Sequence, residues 1–164
     1  MLTLLNGNAE AVERLSESIT KYGSFTPYDR TTLLEAQKTM MSFGLSADFA
    51  FERLQNIGDI ALGDKEKMKS LALAFSQATA SGKLMGQDLN QMINAGFNPL
   101  EVISRKTGKS IAQLKEEMEA GGISAKELGE AFQMATHEGE RFYKGAERAG
   151  ATTIRRLEKQ LEKC

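Results

Sequence analysis

Apolar residues recur at intervals of three and four along most of this chain, which is the spacing of one face of an α-helix. The clearest segment runs from Lys65 to about Ser81, and Asp64 can cap its start. Its apolar face is broad and consists of Met68, Leu71, Ala72, Phe75, Ala78 and Thr79. No alternating pattern typical of a β-strand is present. The chain is therefore predicted to be all-α.

The other predicted helices are short and are separated mainly by glycine, of which the chain has 15, against two prolines. They run from Asn8 to about Tyr22, Pro27 to Gly44, Ser46 to Ile57, Asp88 to Ala95, Asn98 to Gly108, from Ser110, from Ser124 through Ala135, and from Gly139 to the C-terminus. The segment GDIALGD, residues 58–64, is expected to be a turn-rich joint that can contain one helical turn. The predicted fold is a bundle of roughly seven or eight short helices with a longer C-terminal helix. An elongated helical array is the alternative architecture.

Three helix starts carry specific capping patterns. Asn98 followed by Pro99 combines a capping side chain with a residue whose fixed φ suits the first helical turn. Ser110-x-x-Gln113 and Ser124-x-x-Glu127 have the form of capping boxes, in which each side chain bonds to the other residue's backbone N–H. These patterns fix where three helices should begin.

The charge balance argues for protein partners. The chain has 164 residues, 21 of them basic and 22 acidic, so its net charge is -1. It therefore has no overall positive field to attract nucleic acid or anionic lipid. It also lacks an apolar run of the ~20 residues that a membrane span needs. We expect no nucleic-acid partner and no membrane segment.

The residues that usually carry catalysis or bind metals are scarce. His137 is the only histidine and Cys164 the only cysteine, and neither has partners at metal-ligand spacing. The lone terminal cysteine cannot form an internal disulfide, which is typical of a reducing compartment. The glycine-rich points at 82–86 and 120–122 lack the lysine and hydroxyl of a phosphate-binding loop. We expect no enzyme activity, no metal and no cofactor.

Residues 107–132 permit a second interpretation, a helix-turn-helix DNA-binding regulatory domain. Such a domain needs basic or amide side chains on the outer face of its second helix. That helix offers Lys126 between acidic neighbours, Glu127 and Glu130 among them. The pattern therefore favours a structural helical pair over a DNA reader.

Residues 84–108 combine a Leu-Met-Gly-x-Asp-Leu-Asn-Gln run, an Ala-Gly-x-x-Pro-Leu turn and a Thr-Gly pair. This stretch resembles the N-terminal helical domain of phage tail length tape measure proteins. The resemblance extends over about residues 25–143, which implies three parts: an N-terminal helix at 1–24, the tape-measure-like domain at 25–143 and a helical extension at 144–164. The family's proteins are far longer, so the resemblance implies a fragment of a larger chain.

The resemblance implies an assembly scaffold of a phage or prophage tail, around which tail tube subunits polymerise and which sets tail length. The implied partners are tail tube subunits, tail assembly chaperones and other tape measure copies. The implied locations are the bacterial host cytoplasm during assembly and the lumen of the virion tail. The motif positions are interpreted as structural, in turns and in the core: Leu84, Gly86, Asp88, Leu89, Met92, Gly96, Phe97, Pro99, Leu100 and Gly108. Met85 and Phe97 lie at glycine-flanked turns and can either fill the core or protrude.

The C-terminal helix carries a stripe at heptad spacing, formed by Ile154, Leu157, Leu161 and Cys164. Two heptads are too few for a stable coiled coil. The stripe therefore either packs back onto the bundle, frays, or starts a coiled coil that joins copies of the chain. In a parallel dimer Cys164 would face its own copy. The stripe is accordingly a candidate self-association surface.

Overall fold

The computed structural model describes residues 7–162, apart from the side chains of residues 153–155. Within that range the chain is all-α, as predicted, and forms nine helices. They are α1 (Ala9–Ser24), α2 (Arg30–Ser42), α3 (Ala47–Ile60), α4 (Lys65–Ser81), α5 (Gly86–Asn94), α6 (Pro99–Thr107), α7 (Ile111–Glu119), α8 (Ala125–Ala135) and α9 (Gly145–Glu162). The C-terminal helix is the longest of these, with 18 residues.

Side-chain caps begin most of the helices. Six of the residues at which helices are predicted to start each accept a backbone N–H from the first turn: Asn8, Ser46, Asp64, Asn98, Ser110 and Ser124. Pro99 occupies the first turn of α6, and Gly108 ends that helix with a φ of 78°. The capping box at Ser110 and Gln113 is complete.

The predicted box at Ser124 is only half formed. The Ser124 hydroxyl oxygen accepts the N–H of Glu127, but the return bond, from the Ser124 N–H to the Glu127 side chain, is absent. The segment before α8 is held instead by one antiparallel backbone bridge with Lys83. The Leu84 N–H donates to Ile123 O at 2.8 Å, and the Ala125 N–H donates to Gly82 O at 3.0 Å. Sequence periodicity gives no sign of this bridge, because it joins residues far apart in the chain.

Four predicted boundaries were wrong. The last helix begins at Gly145 and not at Gly139, because residues 136–144 form turns. The second helix begins at Arg30 and not at Pro27, because the Asp29 side chain accepts the Thr32 N–H at 2.7 Å and caps the helix there. Helix α3 continues through Ile60, so the first part of the expected joint is helical. Ile60 is buried, and its packing extends the helix past Gly58. Helix α5 begins at Gly86, two residues before the predicted start.

The core is organised around α3 and α4. Helix α3 packs against α1, α2, α4, α8 and α9, while α4 packs against α2, α5 and α8 in addition. Helices α6 and α7 extend the bundle, with α6 resting on α8. A chain of phenylalanine rings crosses these layers: Phe75 and Phe97 lie 5.1 and 4.8 Å from the ring of Phe132. Ring contacts at this range join α4, α8 and the turn before α6 into one core.

Candidate functional site: the base and exposed stripe of the C-terminal helix

The residues of the 84–108 motif lie in turns and in the core. The apolar members are buried and consist of Leu84, Leu89, Met92, Phe97, Pro99 and Leu100. Phe97 fills the core against Phe132 and Phe142, whereas Met85 protrudes with 48% exposure. Gly96 and Gly108 end α5 and α6 at positive φ, and Gly86 lies in open space. Any functional role for these residues stays a prediction.

Asp88, at which this helix is predicted to begin with a capping side chain, is buried in the first turn of α5, and Met85 occupies the cap position. Its carboxylate accepts the backbone N–H of Met85, the residue at the cap position, which otherwise has no side-chain capping bond. Burial raises the pKa of the Asp88 carboxyl, and the bond to Met85 acts against that rise. The carboxylate therefore secures the start of α5 from within the helix.

The described residues contain no group of three or more His, Cys, Asp or Glu side chains that could hold a metal ion. His137 is exposed. Within residues 7–162, no helix is long and apolar enough to cross a membrane.

The second helix of the proposed DNA reader, α8, buries Leu128, Ala131 and Phe132 and packs against α3, α4 and α6. Lys126 remains on its exposed side.

The base of α9 is fitted closely against the elements beneath it. A Cβ atom added at Gly145 would lie 2.1 Å from Asp59 O, and one at Gly150 would lie 2.8 Å from Phe25 O. Real Cβ atoms do not approach backbone oxygen so closely, so both positions require glycine. Ala146 is fully buried between them. The first half of α9 is therefore seated directly on backbone at the end of α3 and at the α1–α2 turn.

Asp59 of α3 anchors the first turn of α9. Its Oδ1 accepts the Ala146 N–H at 3.2 Å and lies 3.4 Å from the Tyr22 hydroxyl, which can donate to it or to Gln55 O at 3.3 Å. The residue before α9, Lys144, has a φ of 49°. Asp59 thus satisfies one of the unpaired N–H groups at the helix start from another element.

The Asp59 carboxyl is held in an unfavourable environment. Burial raises its pKa from 3.8 to about 6, while the bonds from Ala146 and Tyr22 act in the opposite direction. Burial and the nearby Asp59 charge also raise the pKa of Tyr22 well above its usual range. The anchor of α9 is consequently a carboxylate that would be better solvated in the unfolded chain.

The second half of α9 leaves the bundle. Leu157 and Leu161 are 55% and 74% exposed, so the expectation that the stripe packs back onto the bundle is wrong for these residues. The helix continues to Glu162, about 18 Å beyond Gly150 at 1.5 Å per residue. The Ile154 side chain and Cys164 lie outside the described residues. Leu157 lies seven residues after Gly150, and Leu161 lies four residues after Leu157. The exposed stripe is therefore on the same face of α9 that packs against the bundle at Gly150.

Sequence reasoning did not single out the base of α9. The signal was present in GAERAG, residues 145–150, where small residues recur at helical spacing on one face. Such a face lets a helix approach its neighbour closely, much as small residues do between packed helices. Asp59 had no comparable signal, because its partner lies 87 residues away in the sequence.

Comparison with known proteins identifies the family. The family described as "Tape measure protein" matches residues 1–164. The chain is also 28% identical over 137 residues to a probable tape measure protein of Lactococcus phage c2, covering 80% of this chain and 18% of the relative's length. No solved structure matches it. The helix-turn-helix alternative finds no support in these matches. Because the family match spans the chain from end to end, the chain belongs to the tape measure protein family.

Proposed function

We propose that this chain acts, without catalysis, as part of the scaffold around which a phage tail tube polymerises and which sets tail length. The observation that carries the proposal is the family match over residues 1–164. Tail tube subunits and tail assembly chaperones are the proposed partners. The proposed locations are the host cytoplasm during assembly and the tail lumen in the virion.

We further propose that copies of the chain associate in parallel through the exposed part of α9. Leu157 and Leu161 present apolar surface that no other described element covers. Their positions fit the a and d sites of a heptad, with Ile154 and Cys164 extending the same stripe. Since two heptads give a weak coiled coil, association is expected to depend strongly on protein concentration.

Leu157→Asp should abolish this self-association, because it places a charge in the centre of the seam. Sedimentation velocity over a wide concentration range measures the effect. The matched control is Lys159→Asp, which introduces the same side chain on the opposite face of α9 and should leave association intact. Mild oxidation should link wild-type copies through Cys164 reversibly, and Leu157→Asp should suppress that product. If the wild-type chain stays monomeric at every concentration, self-association through Leu157 and Leu161 is ruled out.

The assembly role is tested separately in the phage or prophage that encodes the chain. Leu157→Asp should sharply reduce the number of complete tails counted by electron microscopy of lysates, while Lys159→Asp should not. If Leu157→Asp abolishes self-association of the purified chain yet tails form normally, the seam is not used in assembly. If deleting residues 7–162 leaves tails of normal number and length, the scaffold proposal itself fails.

A further inference from the structure

The exposed stripe of α9 cannot pair in parallel with a second copy while the base of the helix stays on its own bundle. At Gly150 the face that carries the stripe is covered by the backbone of Phe25 and Thr26. In a parallel pair the partner helix would lie against this face, with about 8–10 Å between the helix axes. Leu157 is only about 10 Å further along the helix, too short a distance for packed helices to diverge around the α1–α2 turn. Parallel pairing therefore requires the base of α9 to move.

Little apolar surface holds the base of α9. Across residues 145–152 the buried positions are Gly145, Ala146 and Gly150, so the largest side chain inserted there is a methyl group. Helix α4, by contrast, buries Leu71 and Phe75. Hydrophobic stabilisation scales with the apolar area removed from water, and elements that bury little of it open at lower free energy than the rest of a domain. The base of α9 should therefore open before α4 does.

Two residues at the joint between α3 and α9 have strained backbone. Lys144, directly before α9, has a φ of 49°, and Leu62, two residues after α3, has a φ of 53°. Residues with a Cβ atom rarely adopt positive φ, and such strain persists only where surrounding contacts impose it. The Leu62 side chain lies against the position of Gly145. The backbone at Lys144 can relax once α9 leaves α3, which favours release.

The polar contacts at the base act in both directions. Asp59 accepts the Ala146 N–H at 3.2 Å, but burial raises the pKa of its carboxyl, so the ionised form opposes docking. Arg148 donates to Tyr143 O and Arg141 O, each at 2.9 Å, and these exposed bonds hold the helix in place. Their net contribution is modest, because water can replace them. The base is thus held mainly by its close fit.

The position of a pivot follows from what stays anchored in the core. Phe142 is buried, and its ring lies 6.1 Å from that of Phe97. Gly145 is the first residue of α9. Release therefore turns the helix at residues 143–144, where the strained backbone of Lys144 lies, while Phe142 remains packed.

We propose that the contact between the base of α9 and the bundle is autoinhibitory: α9 must release as a unit, turning at residues 143–144, before two copies pair in parallel through Leu157 and Leu161. This inference rests on the self-association proposal and adds its regulation. It requires a monomer in which the base of α9 opens far more often than the core does.

Native-state hydrogen exchange of the whole chain, at a concentration where it is monomeric, tests the release. The amides of Ala146, Arg148 and Gly150 should share one opening, at least about tenfold more frequent than the opening of α4 amides. Ile103→Val, a mild core substitution in α6, should accelerate exchange in α4 several-fold and leave the base of α9 unchanged. If the base of α9 exchanges only when α4 does, or if Ile103→Val accelerates both equally, the proposal is overturned.

Sedimentation velocity tests the inhibition. Gly150→Ala forces α9 away from the Phe25 carbonyl oxygen, so it should lower the concentration at which half of the chains are paired by at least about fivefold. Adding Leu157→Asp should return this variant to a monomer, because pairing uses the same stripe. Gly86→Ala is the matched control: it adds a methyl group in open space and should leave the midpoint unchanged.

The outcomes separate the two proposals. Equal midpoints for the wild type and Gly150→Ala overturn the autoinhibition and leave self-association in place. If both proteins stay monomeric at every concentration, pairing through the stripe fails and the autoinhibition fails with it. A Gly150→Ala variant that associates regardless of Leu157→Asp uses another surface, which also overturns the autoinhibition.

Discussion

At the scale of single residues, Asp59 shows a conflict between local stability and the positioning of α9. Its carboxylate bonds to the first turn of α9 and to Tyr22, yet burial raises its pKa to about 6. A folded-state pKa above the unfolded value of 3.8 means that the folded chain takes up the proton first. The contribution of Asp59 to stability should therefore rise as pH falls from above 6 to below 4, and its ionised carboxylate costs stability at neutral pH.

Asp59→Asn tests this conflict. The asparagine oxygen can still accept the Ala146 N–H, but the buried charge is gone. We expect the variant to be more stable than the wild type at pH 7 by about 1 kcal/mol, after allowance for solvent screening of a partly exposed group. The advantage should disappear below pH 4, where wild-type Asp59 is protonated. Urea denaturation of both proteins between pH 4 and pH 8 measures the difference.

Subtracting the two stability curves removes the contributions of Glu147, Arg148 and other groups near Asp59, which both proteins share. Asp29 contributes in the opposite sense, because its bond with Lys65 lowers its pKa and favours the folded state above the acid range. A difference between the two proteins that stays constant across the whole pH range would show that the Asp59 charge carries no cost.

At the scale of elements, the burial of α5 differs between its first turn and its last. Leu89 is 3% exposed and Ile93 is 40% exposed, although the two residues lie one turn apart on the same side of the helix. Leu89→Asp should destabilise the chain by about 3–5 kcal/mol, because it buries an unpaired charge beside the buried carboxyl of Asp88. Ile93→Asp is the matched control and should cost less than about 1 kcal/mol. Thermal and urea unfolding followed by circular dichroism compare the two; similar losses would contradict the difference in burial between the two positions.

Elements with local signals were predictable from the sequence. Helix α4 was found from its apolar spacing and Asp64, and α6 from Asn98 and Pro99, because caps and periodicity act within a few residues. The errors fall where distant contacts decide. The extension of α3 to Ile60 depends on packing against other helices, and the Lys83–Ser124 bridge joins two turns about 40 residues apart.

At the scale of the whole molecule, the sequence predicted the exposed stripe only in part. The heptad positions of Leu157 and Leu161 were readable from their spacing, but whether they pack on the bundle depends on where α9 leaves it. That exit is set by Gly145, Gly150 and Asp59, which seat the helix base against α3 and the α1–α2 turn. The direction in which the stripe is presented is thus determined far from the stripe itself.

Gly145→Ala should disturb that seat, since its methyl group would lie within contact of the Asp59 carbonyl oxygen and the Leu62 side chain. Helix α9 must shift away from α3, which strains the bond between Asp59 and Ala146 and should cost about 1–3 kcal/mol. Hydrogen exchange should accelerate at the amides of the first two turns of α9 while those of α4 keep their protection. Gly86→Ala is the matched control: it lies at a helix start in open space, and it should be neutral or stabilise by up to about 1 kcal/mol. The Gly145 variant could instead self-associate like the wild type and keep the same hydrogen-exchange protection in α9. The contacts at the base of α9 would then not control how the exposed stripe is presented.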